Sequence, residues 1–267
     1  MSLTDRPVLA PTFAQAKASA HKLLVPYITG FAQGWTEAIR SAAANGADAV
    51  EVGIPFSDPV MDGPIIQRAS SEALRRGATL QGILDGIRGL EVDIPIAVMC
   101  YYNSVFRAGH ERFAQSIAAA GVSGAIVPDL PLEESADWCA AADAAGVATI
   151  MLAAPTAPDE RLPRIVARSR GFVYAVGLLG VTGERDSLSA SATKIALRVK
   201  AVTSLPVLIG VGVSDAQQAQ EACVAADGVI QGASVMRRLM DEGVEAVGEY
   251  VAQVRRAIDQ SVDPAAK

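Results

Sequence analysis

One phrase recurs along the chain and constrains its fold more than any other feature: an alanine-rich helical stretch, a glycine, then a short apolar run. It reads Ser41-Ala-Ala-Ala-Asn-Gly46 before Ala49–Ile54, and Ile117-Ala-Ala-Ala-Gly121 before Gly124–Val127. It returns in residues 140–146 before Ala148–Leu152, and Cys223-Val-Ala-Ala-Asp227 before Gly228–Ile230 is a fourth copy. Alanine lets a helix sit close to a sheet, and glycine readily closes a helix in left-handed backbone. Each phrase is therefore half of a βα unit. Leu23–Ile28, Ile96–Cys100, Phe172–Val176 and Val207–Gly210 supply further strands, which makes eight alternating with helical segments. Eight βα units in 267 residues, with no linker-like stretch, predict a single (β/α)8 barrel spanning the chain. A short helical segment precedes the first strand. A doubly wound sheet is the alternative, with fewer strands and usually a glycine fingerprint after the first; none follows Leu23–Ile28.

The second strand carries the chemistry. It runs into Glu51-Val-Gly-Ile-Pro-Phe-Ser-Asp-Pro-Val-Met-Asp62-Gly-Pro64, a turn stiffened by three prolines and bracketed by two carboxylates. A glutamate inside an apolar strand is costly to bury unless it is paired or used. A carboxylate at a strand's carboxyl end, with another on the following loop, suits acid/base chemistry in a barrel enzyme. The alternative is structural: Glu51 paired to a buried arginine, and Asp62 capping the helix that follows Gly63-Pro64.

Glycines at the last two strands suggest a phosphate site. Gly210-Val-Gly212-Val-Ser214 follows strand seven, and Gly232-Ala233-Ser-Val235 follows strand eight. Barrels often hold phosphates there, where backbone amides approach an anion without a Cβ in the way. Glycine at a strand end is also ordinary turn chemistry. After strand six, Gly177-Leu-Leu-Gly180-Val-Thr182-Gly183-Glu-Arg-Asp186 reads as a lid or as a flexible surface loop.

Composition narrows the remainder. The net charge of −6 argues against a general nucleic-acid binder. No apolar run is long enough to span a membrane, and the amino terminus has no secretory pattern, so the cytoplasm is the expected location. Cys100, Cys139 and Cys223 are scattered and predict neither disulfides nor a zinc site, with Cys100 read as core. The two histidines, His21 and His110, are too few for an imidazole-built metal centre.

The segment Glu51–Pro64 resembles the signature of the tryptophan synthase α subunit family. The likeness continues through Pro128-Asp-Leu-Pro-Leu-Glu-Glu-Ser135, Tyr174, Gly180-Val-Thr-Gly183, Gly210-Val-Gly-Val-Ser214 and Gly232-Ala-Ser234, in the family's order. The resemblance implies a (β/α)8 barrel that cleaves indole-3-glycerol phosphate into indole and glyceraldehyde 3-phosphate without a metal or cofactor. It also implies an α2β2 partnership with a pyridoxal-phosphate β subunit. On the same ground Glu51 is the general acid/base and Asp62 accepts the indole N–H. Tyr174 lies beside Glu51, and Thr182 sits on the closing lid. The amides of Gly183, Gly212, Gly232 and Ala233 hold phosphate. Tyr101 and Ile126 line the indole pocket, with Tyr27 near its rim.

Some positions depart from the family pattern. Ala233 stands where serine is common, Val211 where an aromatic is frequent, and Met61 and Ile65 are bulkier than the usual residues. Gly177 and Leu178 replace polar residues, and the loop after strand one, Thr29–Gly34, is short. The two carboxylates are intact. A free-standing indole-releasing homologue, a non-catalytic activator of a β subunit, and another barrel enzyme acting on a sugar phosphate stay open as alternatives.

Overall fold

In the computed structural model, which describes residues 6–177 and 190–261, eight parallel strands close into a barrel in chain order. They are β1 Leu23–Thr29, β2 Val50–Gly53, β3 Ile96–Met99, β4 Gly124–Ile126, β5 Ala148–Ala153, β6 Val173–Val176, β7 Val207–Gly210 and β8 Gly228–Gln231. Closure is made by β8 against β1, from Leu23↔Gly228 to Pro26↔Gln231. The doubly wound alternative is thereby excluded.

The recurring phrases close their helices as their glycines predict. Gly46, Gly121 and Gly146 have φ of +99°, +83° and +72°, the left-handed region that a Cβ disfavours. The next amide then reaches back over the helix end: Ala47 to the Ala42 carbonyl at 3.1 Å, Val122 to Ile117 at 3.1 Å, Val147 to Ala142 at 2.9 Å. The fourth copy closes differently. Ala226 is extended, and the Asp227 amide joins the Val207 carbonyl at 2.8 Å.

Alternation along each strand sorts side chains into two layers. Leu24, Ile28, Val50 and Val52 belong to the outer core against the helices, whereas Leu23, Val25, Ala49 and Tyr174 fill the lumen. The helix Leu9–Ala18 stoppers the barrel at the amino ends of the strands. Its Leu9 and Phe13 join the lumen cluster, and Phe13 stacks on Phe172 with ring centroids 5.3 Å apart.

Just ahead of that helix, buried Arg6 ties helix ends together. Its guanidinium donates to the carbonyls of Ile87 and Leu90 (3.1 and 2.7 Å) and of Ala120 and Gly121 (both 3.3 Å). These lie in the last turn of, or just after, the helices Leu80–Arg88 and His110–Ala119, where backbone oxygens lack intrahelical i+4 donors. Arg6→Met, which keeps the packing and removes the donors, is expected to lower unfolding free energy by about 2–3 kcal/mol in a urea titration.

Two carboxylates at this lower end are satisfied. Asp48 accepts from the Leu24 amide at 2.8 Å and pairs with Arg255 at 3.0 Å. Asp227 accepts from the Val207 amide at 2.9 Å and pairs with Lys200 at 2.8 Å. Conditions at the opposite end are different.

Candidate active site

Glu51 projects from β2 into the lumen on the same face as Ala49 and Gly53. It is 1% exposed, and its Oε2 has no hydrogen-bond partner among the described residues. No cation among the described residues pairs with it, so the buried-arginine alternative fails: Arg6 is occupied with carbonyls at the other end. Burial, then the charge of Asp62, pushes the Glu51 carboxyl up to about 8. At neutral pH it is mostly protonated.

Asp62 arrives from the loop after β2. Its amide donates to the Pro59 carbonyl at 3.0 Å, and its carbonyl accepts from Gln67 Nε2 at 2.8 Å. Gly63, not Asp62, is the N-cap of the helix Pro64–Arg75, and Pro64 takes the first helical position, where its missing N–H costs nothing. Burial raises the Asp62 carboxyl to about 6, opposed by a hydrogen bond from the Tyr101 hydroxyl. Two buried carboxyls thus hold different protonation states near pH 7, the arrangement an acid/base pair needs.

Two glycines make room for two tyrosines above the carboxylates. A Cβ on Gly53 would lie 1.9 Å from the Tyr27 hydroxyl, and one on Gly210 would lie 2.1 Å from that of Tyr174. Both rings therefore lie in the lumen, and both phenols are held well above their ordinary range by burial and by the two carboxylates. They keep their protons.

A pocket opens over this group at the carboxyl ends of the strands. Glu51, Asp62, Tyr27 and Tyr174 line it with Met61, Met99, Ile126, Leu152, Val176 and Ile230. At its far side are Val211–Ser214, Gly232 and Ala233. Gly212 has φ +90° with no described residue within 4 Å of an added Cβ. Val211 also has positive φ, +68°, a strained conformation for a β-branched residue. Gly232 caps the helix Ala233–Asp241, whose first internal bond is Met236 N–H to the Gly232 carbonyl at 2.9 Å. The amides before it have no intrahelical acceptor and present the positive end of the helix to the pocket. No lysine or arginine among the described residues lines it.

Of the residues singled out from sequence, Glu51, Asp62, Tyr174, Ile126, Gly212, Gly232 and Ala233 come together in this pocket. Tyr27 does too, but it is buried in the lumen rather than set at the rim, because Gly53 leaves space for its ring. Tyr101 stands beside Asp62, which it hydrogen-bonds, and stacks on Phe56 at 5.1 Å. Thr182 and Gly183 lie outside the described residues. Sequence reasoning missed Met99, Leu152 and Ile230. Counting every second residue from Glu51 through the strand pairing (Gly53↔Met99, Tyr174↔Leu152) would have found the first two.

The fold and pocket together define a class: a (β/α)8 barrel enzyme with a carboxyl pair in a pocket at the strand ends. The comparisons with known proteins narrow it. The family model described as tryptophan synthase alpha chain matches residues 13–263. The tryptophan synthase alpha chain of Streptomyces coelicolor is 44% identical over 246 residues, covering 90% of this chain and 91% of that protein. That of Methanosarcina mazei is 41% identical over 261 residues, covering 96% and 95%. A solved Mycobacterium tuberculosis tryptophan synthase superposes with a TM-score of 0.88 at 36% identity, covering 95% of this chain and 98% of that one. The alpha subunit from Legionella pneumophila gives 0.85 at 29% identity, covering 97% and 99%. The chain belongs to the tryptophan synthase alpha chain family. It is a carbon–carbon lyase of tryptophan biosynthesis.

Proposed function

We propose that Glu51 and Asp62 divide the work of cleaving indole-3-glycerol phosphate into indole and glyceraldehyde 3-phosphate. The observation that carries this reading is the pair of buried carboxyls with no cationic partner among the described residues, one mostly protonated and one mostly ionised at neutral pH. Glu51 gives its proton to indole C3, which makes the ring an electron sink. The carbinol hydroxyl beside the ring then loses its proton to the glutamate, its C–O bond becomes the aldehyde, and the bond to C3 breaks with its electrons returning to the ring. One proton enters and one leaves, so a single group serves both steps. Asp62, ionised, accepts the indole N–H and stabilises the cationic ring.

The apolar walls, with Tyr27, Tyr174 and Ile126, hold the indole. Gly212, Gly232 and Ala233 hold the phosphate, helped by Gly183 and Thr182 of the loop after β6. The mechanism needs no metal or cofactor. The chain acts as one barrel domain in the cytoplasm with a tryptophan synthase β subunit as its partner. Exposed Val60 and Met61 beside Asp62 offer apolar contact for that partner. The test is indole release from indole-3-glycerol phosphate by the purified chain, alone and with a β subunit. A folded chain inert under both conditions would remove the proposal.

The phosphate assignment has its own test. Ala233 provides an amide but no hydroxyl. Ala233→Ser should add one hydrogen bond to the anion, worth about 1 kcal/mol, and lower KM about fivefold with kcat little changed. Steady-state kinetics at several substrate concentrations read this directly.

A further inference from the structure

Tyr101 is more than a neighbour of the pocket. It is 3% exposed, its ring stacks on Phe56 of the β2 loop, and its oxygen accepts the Met61 amide at 3.0 Å. A phenol has one proton, and with the Met61 amide accepted, that proton goes to the Asp62 carboxylate. Met61 and Asp62 are consecutive, so one hydroxyl grips the peptide and the carboxylate of the same loop. The phenol itself stays protonated because burial and the Asp62 charge both oppose its ionisation.

We propose that Tyr101 is a positioning residue for Asp62, clamping the loop through the Met61 amide and the Phe56 stack and holding the carboxylate in its ionised form. The proposal rests on the division of labour assigned above to Glu51 and Asp62. Charge-assisted hydrogen bonds favour the ionised acceptor, so the donor keeps Asp62 charged at a pH where burial alone would neutralise it. Glu51, Tyr27 and Tyr174 also face Asp62, but all three hold their protons near neutral pH and Met61 donates without titrating, which leaves Tyr101, just after β3, as the donor that favours the ionised carboxylate.

The experiment is the pH profile of kcat/KM for Tyr101→Phe beside wild type and Phe56→Leu. Tyr101→Phe should move the acidic limb upward by about one pH unit, equivalent to about 1.4 kcal/mol, so activity falls several-fold at pH 6 and less at pH 7.5. Phe56→Leu, which keeps both hydrogen bonds, should lower activity evenly and leave the limb in place. A Tyr101→Phe profile parallel to wild type at every pH would reduce Tyr101 to packing and overturn the inference. Titration of carbon-13-labelled aspartate by NMR gives a readout independent of turnover, with the Asp62 resonance titrating higher in Tyr101→Phe. A wild type that releases no indole would defeat the functional proposal, while the NMR titration would still decide the role of Tyr101.

Discussion

Replacing Glu51 by glutamine is expected to lower kcat for indole release by about 10³-fold, within the range for loss of a general acid/base. Glutamine has nearly the shape of the protonated carboxyl and places its amide in the same lumen position, so the pocket and substrate binding should survive. KM, or the Kd of a non-cleavable indole phosphate, should therefore change little. The same substitution should stabilise the fold in alkaline solution. The Glu51 carboxyl is raised from 4.5 in an ordinary setting to about 8 in the barrel. Its contribution to stability is complete below about pH 4.5 and is lost as pH rises through 8, because the folded state then holds a proton the unfolded chain has released. Glutamine cannot ionise and is spared that loss. Thermal melts at pH 6 and pH 9 should show wild type declining more steeply than Glu51→Gln. An inactive variant that is also more stable at high pH marks a residue kept for chemistry rather than for the fold.

The second large effect is expected at Asp62. Asp62→Asn should lower kcat about 10²-fold, the scale of losing one electrostatic contact to a developing charge. Asparagine can still accept the indole N–H through its amide oxygen, but it brings no negative charge. Ground-state binding should suffer less than turnover, so the loss falls mainly on kcat. Asp62 approaches from a loop and Glu51 from a strand, yet both act on one substrate ring. The double variant should therefore be little worse than Glu51→Gln alone, because groups acting in one step are not additive. Independent losses that multiply would show that the two residues serve separate steps.

The barrel was legible because its signals are local and repeated. An alanine-rich helix and a left-handed glycine recur before an apolar strand, and the structure uses Gly46, Gly121 and Gly146 in that way. Glu51 was legible for the opposite reason: it breaks the apolar pattern of its strand. Asp62 needed the family likeness, since an aspartate before Gly-Pro is equally at home as a helix cap. The tyrosine sockets were invisible, because the space that Gly53 gives Tyr27 depends on pairing between strands that are separate in sequence. The partnership of Tyr101 with Asp62 was hidden likewise, as it joins the end of β3 to the loop after β2. The strain at Val211 also escaped notice, since nothing local marks a β-branched residue for positive φ.

On the proposed mechanism, cleavage requires Glu51 protonated and Asp62 ionised in the same molecule. The pH dependence of kcat/KM for wild-type indole release tests it most directly. Activity should rise as Asp62 ionises near pH 6, hold a narrow maximum, and fall as Glu51 loses its proton near pH 8. A rate that climbs steadily through pH 9, or stays flat from pH 5 to 9, would contradict it.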